Sequence, residues 1–165
     1  MKPFLAVLVI ALTFSPFAAA GNSSSAQAPA KPRLPQDLVS YFTGDWAGKG
    51  RFTSGRDLES DFRFVPQPDN QCVLVHQKEK PPNTFEFSAL WSVDSVSGNV
   101  VMVLVGNLDT GTRIFRSHGW QDGKIVFQGV PELRSYWALE RFTFERESAT
   151  VFHSTYEFSK DDGKT

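Results

Sequence analysis

The sequence has little of what disulfide scaffolds are made from. One cysteine stands among 165 residues, which excludes an intrachain disulfide framework. It also lacks an excess of charge of either sign. Lysine and arginine number 17 against 18 aspartates and glutamates, for a net charge of −1 at pH 7. No cationic field is available to hold a polyanion, so no nucleic-acid partner is expected. Also missing are a Gly-x-Ser-x-Gly elbow, a His-Glu-x-x-His pair, a phosphate-cradling Walker loop and a dinucleotide fingerprint. What is present is the composition of one ordinary globular domain, 41% apolar, 13% aromatic and 21% charged, with 12 glycines and 10 prolines, too ordered for a disordered chain.

The longest apolar run is at the start. Lys2 precedes a stretch from Phe4 to Phe14 broken only by Thr13, and Ala18-Ala19-Ala20 follows. One basic residue, an apolar core of about eleven residues and small residues at −3 and −1 make a secretory signal peptide. Ser15-Pro16 interrupts the run well short of the roughly 20 apolar residues a membrane-spanning helix needs. Residues 1–20 are therefore expected to be removed after Ala20, leaving no transmembrane segment in the mature chain and placing it in the periplasm or outside the cell. No cysteine lies near the cleavage site to carry a lipid. Residues 21–34, rich in Ser, Ala and Pro, read as a flexible tether, and 35–165 as the folded domain.

That domain opens with one helical signal. Pro35 suits a first turn, Leu38 with Tyr41 and Phe42 makes an apolar i, i+3, i+4 face, and Gly44 stops it. Everything after it reads as strand, with candidates at 46–53, 58–65, 71–79, 84–93, 99–106, 112–120, 124–130, 136–147 and 149–159. The clearest alternation sets Phe85, Phe87, Ala89, Trp91 and Val93 against Glu86, Ser88 and Ser92, a half-buried strand. Turn signals separate the strands, and Asp122-Gly123 is the strongest. The pattern predicts an all-β, antiparallel up-and-down barrel of about nine or ten strands, since closure hides the edges of so long a meander. Asp161-Asp162-Gly163-Lys164 is a hairpin signal with no returning strand after it. It points to a barrel lacking its last strand, open between first and last strands and able to pair edge to edge with a second copy; the alternative is a frayed polar tail.

The helical turn leads into Gly44-Asp45-Trp46-Ala47-Gly48-Lys49-Gly50. A Gly-x-Trp opening the first strand of an antiparallel barrel resembles the start of calycins, which include lipocalins and fatty-acid-binding proteins. The longer Gly-x-Trp-x-Gly-x-Gly form is most similar to nitrobindin-type barrels and to exported bacterial calycin-like proteins of unestablished function. Gly119-Trp120-Gln121-Asp122-Gly123 and Arg141-Phe142-Thr143-Phe144 also resemble that second set. In physical terms Trp46 can plug the barrel bottom, while Gly48 and Gly50 let the strand coil and leave room inside. The lipocalin likeness implies an arginine packed across that tryptophan, for which Arg141 is the candidate. The nitrobindin likeness implies haem held by a histidine on a late strand, but no histidine here matches that position, so no cofactor is expected.

Chemistry is sparse in the rest. On a strand Cys72 and His76 lie ~13 Å apart at 3.3 Å per residue, too far to share a metal without partners from other strands, and no metal is expected. Cys72 reads as a small buried hydrophobe, His76 as a partly exposed or core-rim residue and His153 as an outer-face one. Arg116, His118 and Trp120 share one strand face. If that face lines the barrel they form a polar anchor for an acidic headgroup with an aromatic wall; if Phe115 points inward instead, they do not. With Phe87, Trp91, Arg141 and Tyr156 they are the expected ligand-binding set. No catalytic residue is assigned: no pair of carboxylates is marked out for acid–base work, and an enzyme would draw on carboxylates converging from distant strands or on His118 or His76. The expected function is binding of a small hydrophobic or amphipathic molecule. The alternative is a structural or protein-interaction module of the cell envelope.

Overall fold

The computed structural model describes residues 31–107, 111–129, 139–159 and 161. The expected cleavage site, most of the tether, Tyr136 and Trp137 of the eighth strand candidate and residues 162–164 of the terminal turn signal lie outside these residues. One helix, α1 (Gln36–Phe42), is followed by β1 (Gly44–Arg51), β2 (Asp57–Pro66), β3 (Cys72–Glu79), β4 (Glu86–Val93), β5 (Val100–Gly106), β6 (Thr112–Ser117), β7 (Lys124–Gly129), β8 (Leu139–Arg146) and β9 (Phe152–Ser159). The strands form one sheet in chain order, each antiparallel to the next, curled into an open barrel. Every strand candidate is present. β6 stops earlier than the sequence suggests, because Gly119 adopts a left-handed φ of 114° and its N–H turns back to Ser117 Oγ at 3.1 Å.

Burial alternates along the strands as a two-residue period requires. Val73, Val75 and Gln77 of β3 are buried between exposed Leu74, His76 and Lys78. On β6 the inward residues are Arg113, Phe115 and Ser117. The outer face is held in register by opposite charges set directly across from one another: Lys49–Glu59, Arg51–Asp57, Lys78–Glu86, Lys124–Glu145 and Arg141–Glu157, at 2.7–3.1 Å. Each such exposed pair contributes only a few tenths of a kcal/mol, up to ~1, but a slip by one residue would break the set and turn the aromatic face outward. The β6–β7 corner shows the local control. Asp122 and Gly123 have φ of 51° and 77°, and Gln121 and Lys124 exchange backbone hydrogen bonds of 2.9 and 2.8 Å, a two-residue hairpin.

At one end α1 covers the barrel. Pro35 precedes the helix without a side-chain cap, so a seven-residue helix stands by burial of Leu38, Val39 and Phe42 rather than by its own propensity. Trp46 Nε1 donates to the Phe42 carbonyl at 2.7 Å, and the Tyr41 hydroxyl donates to the Val151 carbonyl at 2.6 Å. These bonds tie the helix to the entry of both β1 and β9. Because every neighbour is antiparallel, β1 and β9 run the same way, and among the described residues no backbone pairing joins them. No helix described is long and apolar enough to cross a membrane.

Candidate functional site

The inner face has two layers. At the α1 end it is a floor of rings. Phe42 lies 5.0 Å from Phe64, 5.3 Å from Phe152 and 5.6 Å from both Trp91 and Trp120, centroid to centroid. Trp91 is fully buried and also meets Phe127 and Phe144 at 5.0 Å. Edge-to-face packing of this kind sets the positive edge of one ring on the negative face of another. Trp46 closes the floor against Tyr41 and Phe152 at 5.6 and 4.9 Å. Phe87 belongs to the wall above, buried against Phe142 at 6.1 Å.

Above the floor the inner face turns polar. Arg113 of β6, Glu140 of β8 and Tyr156 of β9 converge there. Arg113 Nη1 donates to Glu140 Oε1 at 2.6 Å, with the two side chains 3% and 6% exposed. The Tyr156 hydroxyl donates to the same oxygen at 2.6 Å and lies 3.5 Å from Nη1. Gly129 of β7 lies between β6 and β8, and a Cβ there would meet Glu140 at 3.5 Å. Burial first, then the hydrogen bond to Glu140 and its charge, hold the Tyr156 phenol well above its ordinary value of 10.0. Arg113 Nε and Nη2, Gln77 Oε1 and Trp91 Nε1 are buried without a hydrogen-bond partner.

Three expected site residues face the wrong way. Arg116 and His118 are exposed on the outer side, and Phe115, at 0% exposed, points inward. The anchor of Arg116, His118 and Trp120 is therefore corrected: the interior arginine is Arg113. The physical reason is that the inner side of β6 buries a charge, because Glu140 and Tyr156 meet it there. Trp120, beyond the strand, packs under α1, stacked on Tyr41 at 6.0 Å. Arg141 is likewise outward, 2.7 Å from Glu157 across the β8–β9 ladder and half exposed; that hydrogen bond holds its guanidinium above the usual value and the Glu157 carboxyl below. It does not pack across Trp46. The arginine over the aromatic floor is Arg146, 5.4 Å from the Tyr41 centroid and 6.0 Å from that of Trp120.

The first-strand motif works locally. Gly44 has φ of 121°, a conformation closed to most side chains, where the chain leaves α1. A Cβ at Gly48 would meet only the Ser60 carbonyl, at 3.8 Å, and one at Gly50 only Leu58, at 3.7 Å. Space is left at this edge of the barrel. Cys72 is half-buried on the outer side rather than in the core. His76 is exposed, its Nδ1 2.9 Å from Ser88 Oγ, and exposed His153 meets Glu147 at 2.7 Å. Among the described residues no group of three or more His, Cys, Asp or Glu could hold a metal ion.

The sequence reading missed Arg113 and Glu140. The one available signal was that Arg113, Phe115 and Ser117 alternate as regularly as Ile114, Arg116 and His118. No family model matches this chain, and no curated protein does.

Proposed function

We propose that this chain is an exported, calycin-like barrel that binds a small hydrophobic or amphipathic molecule on its inner face. The observation that carries the reading is on β9. Tyr156 and Phe158 lie on the inner side, with Tyr156 4.6 Å from the Phe142 ring, yet they are 39% and 48% exposed. An aromatic inner wall open to solvent beside a buried polar cluster is what an amphipathic ligand needs. The leader sequence ending at Ala20 supports export to the periplasm or beyond, and the Gly44–Gly50 motif supports the calycin likeness. Native mass spectrometry of the mature protein from its periplasm, before and after denaturing extraction, tests the reading. A mass released on denaturation identifies the ligand class. A bare protein that takes up nothing from a panel of lipids and haem overturns it.

The edges favour a second reading, an interaction module of the cell envelope without a small ligand. Among the described residues no backbone pairing joins β1 to β9, and an open sheet is a surface through which chains pair with one another. A sedimentation profile showing an edge-to-edge homodimer, with no bound small molecule, would support it. An enzyme using His118 or His76 has no support from the geometry, since both are exposed and outside the barrel.

A further inference from the structure

The two end strands are built differently. β1 reads Gly-Asp-Trp-Ala-Gly-Lys-Gly-Arg, with three glycines and two cations in eight residues, and such a composition discourages edge pairing. β9 reads Phe-His-Ser-Thr-Tyr-Glu-Phe-Ser. It is equally long, carries three aromatic residues and a threonine, and lacks the lysine, proline or glycine that blunts an edge. Among the described residues it pairs only with β8, and every residue from His153 to Glu157 is exposed.

We propose that β9 is a dimerisation edge, which pairs antiparallel with β9 of a second copy so that Thr155 meets Thr155 on the two-fold axis. This rests on the interaction reading above and names its partner, edge and register. A two-fold axis normal to the sheet makes the two β9 strands antiparallel, so no parallel ladder is needed. The register follows from charge. On the outer face Lys124 stands across from Glu145, Glu145 across from His153, and Arg141 across from Glu157. Lys124–Glu145 and Arg141–Glu157 are ion pairs of 3.0 and 2.7 Å. With Thr155 on the axis, Glu157 of one copy faces His153 of the other. The row then runs Arg141, Glu157, His153, Glu145, Lys124 across the junction, basic and acidic residues alternating at every step, and the symmetry makes that row twice. Moving the axis to Ser154 or Tyr156 takes His153 off Glu157, and an axis between residues sets inner side chains against outer ones. On the inner side Ser154 faces Tyr156 of the second copy, so the phenol ring, 39% exposed in the single chain, meets a residue small enough to pack beneath it. One strand edge per copy is a small interface, so the association is weak and concentration-dependent.

The test is sedimentation of the purified protein from about 1 μM to 1 mM, with substitutions at the exposed Thr155. The wild type is expected to pass reversibly from monomer to dimer. Thr155→Lys or Thr155→Glu alone sets like charges face to face on the axis and should weaken the dimer ~5-fold or more, while an equimolar mixture of the two should restore it as a heterodimer. In a Cys72→Ser background, Thr155→Cys should crosslink to itself under mild oxidation, because directly opposed residues lie ~4.5–5.5 Å apart at Cα, within disulfide reach. Glu157→Cys should not, being displaced ~13 Å along the strand from its own counterpart. Circular dichroism establishes that the variants fold; should the charged ones not fold, the crosslink decides. A dimer untouched by either charged variant but dissolved by Ala47→Lys on the outer side of β1 overturns the β9 assignment and leaves the interaction reading standing. A crosslink through Glu157→Cys and none through Thr155→Cys overturns the register. A wild type that stays monomeric, with no crosslink, overturns the pairing, and a small molecule carried by that monomer in native mass spectrometry overturns the interaction reading as well.

Discussion

If the ring floor organises the barrel, Phe42 is its most telling residue. Its side chain is 1% exposed and comes from a seven-residue helix with no side-chain cap. Its ring is nevertheless edge-on or tilted to Phe64, Phe152, Trp91, Trp120 and Phe144, all within 6.1 Å. Phe42→Ala removes the common neighbour of five rings that come from five different parts of the chain. Large-to-small changes at such sites cost about 3–5 kcal/mol, and alanine's better helix propensity returns only about 0.5. A net loss of about 2.5–4.5 kcal/mol is a large share of the roughly 5–15 kcal/mol that holds a domain together, and lowers Tm by roughly 10–20 °C. Urea unfolding followed by tryptophan fluorescence should show the midpoint falling with m unchanged. Tyr41→Phe is the control. It keeps the ring, loses the 2.6 Å bond to the Val151 carbonyl, and should cost about 0.5–1.5 kcal/mol. A loss below ~1 kcal/mol for Phe42→Ala would mean that α1 decorates a barrel able to stand without it, and the two-layer account would be wrong.

Other expectations are as specific. Burial holds the Glu79 carboxyl above its ordinary value of 4.5, against the pull of Arg56. A carboxyl raised by folding favours the folded state while protonated, so its contribution is full below 4.5 and is lost as pH rises through the raised value; Glu79→Gln should abolish that part of the decline in urea midpoints, and parallel profiles would refute the sign. Arg141→Ala breaks a half-exposed pair and should change stability by about 1 kcal/mol or less, with ligand affinity unmoved in titrations of the lipid panel. Arg116→Ala and His118→Ala, both outside the barrel, should leave affinity within about twofold; a large loss for either would put the binding surface on the outer face. Gly44→Ala forces a side chain into φ of 121° and should cost ~1 kcal/mol or more, read by thermal melting.

The strands were legible because their signals are local. Asp122-Gly123 needs only its own two left-handed residues to turn the chain, and Phe85 to Val93 carries a period that no helix shares. The face of β6 was not legible, for a reason equally physical. Ile114, Arg116 and His118 offer one apolar and two polar residues, and so do Phe115, Arg113 and Ser117. Hydrophobicity cannot choose between two such sets. The choice is made by Glu140, 27 residues away, and by Tyr156, 43 residues away. Arg141 misled for the converse reason: its neighbours Phe142 and Phe144 are core, but a strand sends adjacent residues to opposite sides, and Glu157 waits on the outer one.

Strand parity connects this architecture to ligand entry. In a meander of consecutive antiparallel pairs the first and ninth strands must run in the same direction, so β1 and β9 could close only through a parallel ladder, which the curl does not make among the described residues. The α1 end is nonetheless drawn together, by Trp46 on Phe152 at 4.9 Å and by the Tyr41 bond to Val151. The opening therefore lies away from the ring floor, where the glycines of β1 leave space and β9 turns Tyr156 and Phe158 inward yet leaves them exposed. That is the level at which Arg113 and Glu140 sit. The rings fill the α1 end of the barrel, so on the binding function proposed above a ligand enters through the seam, beside Tyr156 and Phe158. Strengthening the floor should raise stability without touching affinity, whereas covering the β9 edge should slow ligand entry without altering the fold.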